Sequence, residues 1–135
     1  MSGLRILLRL TAAGLAFADG MLHAAVTPEH FAQARYLGIL FVFSVLFLST
    51  LGLALTYGVF GSPAVPTGKL TRWAGILLVA GLLAGYFATR TIGFPGFSGH
   101  WGDFGLATKG IEALLLVLLV ADLGGSRSVP GSHTR

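Results

Sequence analysis

Polar and apolar residues in this chain are sorted into long blocks rather than short alternations. A helix needs about 20 mostly apolar residues to cross the hydrocarbon of a bilayer. Four blocks come close to that length, from about 4 to 26, 36 to 57, 70 to 89 and 106 to 123. The first is expected to stop at Thr27-Pro28, because proline has no amide hydrogen and disfavours a helical residue before it. The second contains no charged residue and is the plainest of the four. Gly58 to Gly68, with Pro63 and Pro66, reads as a turn-rich linker. The fourth carries Lys109 and Glu112 near its start. The expected organisation is one four-helix transmembrane domain over 1–124 and a disordered Gly/Ser/Arg-rich tail over 125–135. A second reading of the first block is a cleaved signal peptide. Arg5 and Arg9 would be its basic region, Leu10 to Leu15 its apolar centre, and Ala16-Phe17-Ala18 its cleavage site. Apolar sequence continues past that site, which favours a retained span; cleavage would leave three.

Composition agrees with the pattern. Charged residues are 10% and hydrophobic residues 54% of 135, whereas a soluble domain carries about 25% charged residues. The expected fold class is therefore all-α, an integral membrane bundle with the lipid bilayer as solvent and no separate soluble module. With no cysteine, disulfides, thiolate metal sites, iron–sulfur clusters and CxxC redox chemistry are excluded. The net charge of +4 comes from scattered basic residues. They form no stripe, so nucleic acid is not an expected partner.

Their distribution instead suggests an orientation. With four spans, Arg5, Arg9, Lys69, Arg72, Arg127 and Arg135 fall on one side and Arg35, Arg90 and Lys109 on the other. Six against three places both termini in the cytoplasm, by the positive-inside bias.

That orientation gathers the scarce polar residues. His23, His30 and His100, three of the four histidines, fall at the outer face. Asp19, Glu29, Asp103 and Glu112, four of the five acids, join them with Arg90. Asp19 and His23 are four apart and share one helix face, and Lys109 and Glu112, three apart, can pair. Ala12, Ala16 and Gly20 repeat at four-residue spacing, as do Gly81 and Gly85. Small residues so spaced admit a close neighbouring helix, so the first and third spans are expected to pack together and bring His23 near Arg90. An ionisable residue inside a membrane marks function by default. The plainer reading makes Asp19 with Arg90, or Glu112 with Lys109, structural ion pairs, and lets Arg35, Arg90 and Lys109 snorkel. Phe94, Phe97 and Trp101 fit an interfacial aromatic belt.

Arg90-Thr91-Ile92-Gly93-Phe94-Pro95 opens a loop in which Pro95 fixes φ and Gly93, Gly96, Gly99 and Gly102 permit positive φ. Such a loop can fold over the helix ends or serve as a connector. An Arg-Thr-x-Gly-x-Pro element after a third span, preceded by a first span with His23 near its end and then Glu29-His30, resembles small four-helix integral membrane proteins of high-GC bacteria. The matching positions are His23, Glu29, His30, Arg90, Thr91, Gly93, Pro95 and Glu112. The resemblance implies the fold, a bacterial cytoplasmic membrane and an important outer-face cluster, and carries no activity.

No phosphate-binding loop, zinc-protease motif or nucleophile elbow is present, so an enzyme is not the expectation. Small size favours an accessory or structural subunit of a larger membrane assembly, with other membrane subunits or self-association as partners. A second class binds a metal or haem at the outer face, with His23, His30 and His100 as candidate ligands. A third moves protons or a small polar solute through Asp19, His23 and Glu112, with Arg90 as counter-charge.

Overall fold

The computed structural model describes residues 2–61, 68–95, 99 and 101–125. Pro63 and Pro66 of the linker, Gly96, Phe97 and His100 of the outer loop, and the tail beyond Gly125 lie outside the described residues. The described residues form four helices, α1 (Gly3–Gln33), α2 (Arg35–Phe60), α3 (Lys69–Thr91) and α4 (Asp103–Gly124). All four are long and apolar enough to cross a membrane.

Three helices extend the predicted blocks by a few residues at their ends. The first differs in kind, because α1 does not stop at Thr27-Pro28 but runs on through Pro28 to Gln33. Proline's fixed φ suits a helix; what it removes is one amide donor. Apolar surroundings tolerate such a proline when the helix around it is otherwise satisfied; the missing amide is the one that would serve the Ala24 carbonyl, and beside it the Thr27 hydroxyl donates to the His23 carbonyl at 2.7 Å. The 31 residues of α1 span about 46 Å at 1.5 Å per residue, well beyond the roughly 30 Å of a hydrocarbon core.

Ala34, in extended conformation, is the one residue between α1 and α2. A connector this short forces the two helices side by side and antiparallel, and small residues then set how closely they approach. Phe31 of α1 lies over Gly38 of α2, and Phe17 of α1 over Gly52, so a side chain at either glycine would collide with a ring. Gly20 of α1 rests against Leu48 and Ser49 of α2. α4 packs against both α1 and α3.

The expected pairing of α1 with α3 is not formed, since among the described residues the backbones of these helices do not come together. The Ala12–Ala16–Gly20 stripe is buried, as a packing surface should be, but it serves α2 and the core. The physical reason is the Ala34 connector, which commits that face of α1 to α2. Gly81 and Gly85 were expected to be packing positions too. Instead a Cβ at either would meet open space.

The core lies nearer the end that holds the start of α1. Ala12, Ala13 and Ala16 of α1 belong to one buried cluster with Leu48, Leu51 and Leu55 of α2, Val79 of α3, and Leu115 and Leu119 of α4. Here α2 and α3 touch, with Leu51 against Gly75. They make few other contacts, and towards the opposite end they enclose a cavity between them. The outside of the bundle is apolar, with Leu40, Phe43, Leu46, Phe47, Leu77 and Val117 all exposed, while Asp19, His23, Arg72, Glu112 and Asp122 are buried.

The two kinds of glycine separate by mutation. Gly52→Leu is expected to destabilise the detergent-purified protein by about 1–3 kcal/mol through overpacking against Phe17. Gly81→Leu should leave the unfolding midpoint within about 0.5 kcal/mol of wild type, as at unpacked positions. Equal losses in a thermal unfolding assay would contradict this assignment.

Candidate functional site

The cavity between α2 and α3 has a volume of about 550 Å³. Leu40, Phe41, Ser44 and Phe47 of α2 face Leu78, Gly81, Leu82 and Gly85 of α3 across it. Its polar groups come from all four helices, among them His23, Glu29 and His30 of α1, Tyr36 and Ser44 of α2, Tyr86, Thr89 and Arg90 of α3, and Lys109 of α4. Exposed Leu40, Phe43, Phe47 and Gly81 belong to its lining, so it opens sideways onto the apolar flank of the bundle.

Behind one wall lies a buried charge cluster. Asp19 and His23 share a face of α1, and Glu112 reaches them from α4. Asp19 and Glu112 are fully buried and His23 nearly so. His23 Nδ1 lies 3.0 Å from the Asp19 backbone carbonyl and 3.3 Å from Asp19 Oδ1. A carbonyl only accepts, so Nδ1 carries the proton and Nε2 is left facing Glu112 Oε1 at 3.8 Å. The Lys109 ammonium pairs with Glu112 Oε1 from the next turn of α4. Neither carboxylate oxygen of Asp19 accepts a hydrogen bond, nor does Glu112 Oε2. Lys109 thus answers Glu112, while Asp19 faces the His23 ring.

The opposite wall is rich in donors. The Arg90 guanidinium stacks on the Tyr86 ring at 3.5 Å and donates to Thr89 Oγ1 at 2.9 Å. Lys109 Nζ lies 5.1 Å from the centre of the same ring. Arg90 Nε and the Tyr86 hydroxyl are buried without a hydrogen-bond partner. Gly105 of α4 makes room for that hydroxyl, which would collide with any side chain placed there.

The Arg-Thr-x-Gly-x-Pro stretch builds the corner beside this wall. Thr91 Oγ1 donates to the Phe87 carbonyl. Gly93 has φ +79 and is the one residue with positive φ among those described, turning the chain off α3 as glycine does at helix ends. Tyr36 at the start of α2 donates to the Pro95 carbonyl at 2.7 Å. Phe94 joins the cavity lining.

Of the residues expected at one outer cluster, His23, Glu29, His30 and Arg90 meet around the cavity, while Asp19 and Glu112 stand behind His23 and Lys109. Asp103 is exposed in the first turn of α4 and outside the lining. The Asp19–Arg90 pairing does not form, since Arg90 turns to Tyr86 and Thr89. His23 and His30 do not converge as joint ligands. The Phe41 ring takes both, stacked on His30 at 3.7 Å and tilted against His23 at 5.2 Å. Among the described residues, the metal-ligating donors that converge are those of Asp19, His23 and Glu112, all within 4.8 Å of one another.

Sequence reasoning missed a second cluster at the other end. Asp122 near the end of α4 accepts from Arg9 Nε and from Arg72 NH1, each at 3.0 Å. Arg9 also reaches the Gly58 carbonyl. A signal was present, because Asp122 is the one acid that the predicted topology puts on the basic side. Tyr86 was missed too, although it precedes Arg90 by one helical turn.

Comparison with known proteins returned no match: no family model fits the chain, and neither a curated protein nor a solved structure is similar to it.

Two substitutions check the built features. Asp122→Asn should destabilise the protein by about 3–5 kcal/mol, the usual penalty for leaving a buried charge without its partner, read as a lowered unfolding midpoint in detergent. Gly93→Ala should cost about 1–2 kcal/mol because alanine resists positive φ; an unchanged midpoint would remove the structural role given to that turn.

Proposed function

We propose that this chain is an integral membrane protein that holds a single-chain amphiphile with an anionic head group in the cavity between α2 and α3. One observation carries the reading. A mainly apolar space opening onto the apolar flank carries, at its polar end, the half-buried Arg90, which pairs with no carboxylate among the described residues. Ligand sites combine apolar walls with a few convergent polar groups. Arg90 Nε and the Tyr86 hydroxyl, buried without acceptors, are matched by carboxylate or phosphate oxygens, for which guanidinium is the strongest side-chain partner. The hydrocarbon chain of the ligand would lie along Leu40, Phe47, Leu78 and Gly81. The bilayer supplies both ligand and route, since a sideways opening lets a lipid enter without leaving the hydrocarbon.

The excess of basic residues at the Arg9–Arg72 end supports a cytoplasmic placement of both ends of the helical part, which puts the cavity's polar end in the outer leaflet. Kinship with the bacterial membrane proteins that the Arg90–Pro95 stretch resembles is proposed on those residues alone. A role as accessory subunit is a separate proposal. It draws on the exposed apolar flanks, which suit lipid as well as a partner, and on Gly81 and Gly85, against which nothing packs among the described residues.

Binding of a spin-labelled long-chain fatty acid to the purified protein tests the reading. Wild type should immobilise the probe, and the Gly81→Leu, Gly85→Leu double variant should not. Arg90→Gln should weaken binding about tenfold or more, the order of a charge-assisted hydrogen bond, with little effect on the methyl ester. Equal binding of acid and ester by wild type would defeat the assignment of Arg90.

A further inference from the structure

The cluster behind the cavity wall has a use of its own. We propose that Asp19, His23 and Glu112 form a binding site for a first-row divalent cation of borderline hardness, of the Zn²⁺, Fe²⁺ or Mn²⁺ class. The proposal stands on the cluster and does not require an amphiphile in the cavity.

Three observations converge. First, the donor set suits such an ion, since imidazole and carboxylate select Zn²⁺, Fe²⁺ and Mn²⁺. The chain has no cysteine, and Met21 is exposed, so among the described residues no soft ligand favours Cu⁺. Second, the imidazole is set as a ligand. Metal-bound histidines donate their second ring N–H to a carbonyl or carboxylate, which fixes the ligating nitrogen. His23 Nδ1 does this to the Asp19 carbonyl, and Nε2 faces Glu112 at 3.8 Å. Donors of a tetrahedral Zn²⁺ stand about 3.3 Å apart at bond lengths near 2.0–2.1 Å. Donor atoms of the three residues lie within 4.8 Å of one another, and side-chain rotation would have to bring the Asp19 carboxylate, now beside Nδ1, round to the ion. Third, the carboxylates are under-served. Asp19 is fully buried, yet neither of its oxygens accepts a hydrogen bond, and Glu112 Oε2 is likewise unmatched. Buried carboxylate oxygens without donors are costly, and a cation is what satisfies them.

Lys109 is the competitor. Its ammonium holds Glu112 Oε1, the oxygen nearest His23 Nε2. Lys109 also lines the cavity, so its flexible stem has space to swing into when a divalent ion takes that oxygen. Metal and ammonium thus exclude one another at one atom, which distinguishes a metal site from a structural ion pair.

The experiment uses the full chain, purified in detergent without a tag, stripped with chelator and titrated with Co²⁺ as a spectroscopic stand-in, then with Zn²⁺ in competition. Wild type should develop the visible bands of protein-bound Co²⁺ at one ion per chain, and Zn²⁺ should bleach them. Asp19→Asn and Glu112→Gln should each weaken Co²⁺ binding at least a hundredfold, since even outer-shell losses cost about 10–100-fold. Lys109→Met, which keeps the stem and removes the charge, should tighten binding about tenfold. A structural ion pair predicts the reverse for that variant, with no metal signal and a lower unfolding midpoint. Absence of Co²⁺ bands in wild type overturns the proposal even if no variant folds. So does binding that Asp19→Asn leaves unchanged, which would place the ion elsewhere.

Discussion

Charge that is buried in an apolar molecule must be answered inside it, and this requirement organises the bundle. Taking an ion out of water costs several kcal/mol even after relaxation, and a buried pair repays this only with good geometry. The chain meets the requirement at two levels. Near one end, one carboxylate, Asp122, sits between Arg9 and Arg72. Near the other, Glu112 pairs with Lys109, and His23 lies between Glu112 and Asp19. Each cluster draws on more than one helix, so each acts as a clasp that sets register as well as neutralising charge. They are not equivalent. The first has cations in excess and a single compact arrangement, whereas the second has carboxylates in excess and lies beside a cavity.

Between the clasps, side-chain size decides which helices meet. Phenylalanine rings of α1 laid over Gly38 and Gly52 bind α1 to α2, and the leucine-rich core draws in α4. α3 is held by α4 and by one close approach to α2, at Gly75. Beyond that point Gly81 and Gly85 offer α2 nothing to pack against, and the cavity results. The same residue type thus closes one interface and opens another, depending on whether a ring arrives from the facing helix.

Much of this was legible in the sequence because a helix long and apolar enough to cross a membrane is written in consecutive residues. The four blocks, the Asp19–His23 face and the Lys109–Glu112 pair all depend on separations of four residues or fewer, or on uninterrupted runs. What went wrong depended on partners. The spacing of Gly81 and Gly85 states that a surface is bare but not what faces it. Pro28 argued for a stop through its missing donor, and α1 continued regardless. Arg9, Arg72 and Asp122 are separated by 50 residues or more; the two arginines were counted for orientation alone and not joined to the one acid on their side. His23 and His30 share a helix face, but only the fold reveals that Phe41 occupies the space between α1 and α2 where they would have met a common ligand.

The single residue between α1 and α2 has a consequence for how the protein is made. α1 carries Asp19 and His23 on an otherwise apolar face, a poor candidate to enter a bilayer alone, while α2 carries no charge after Arg35. With only Ala34 between them, α2 cannot enter a bilayer while α1 waits outside it. On the membrane reading the two are inserted as one hairpin, with the apolar second helix carrying the polar first. The histidine would thus already lie against Phe41 before α4 emerges from the ribosome with Lys109 and Glu112 to complete the cluster.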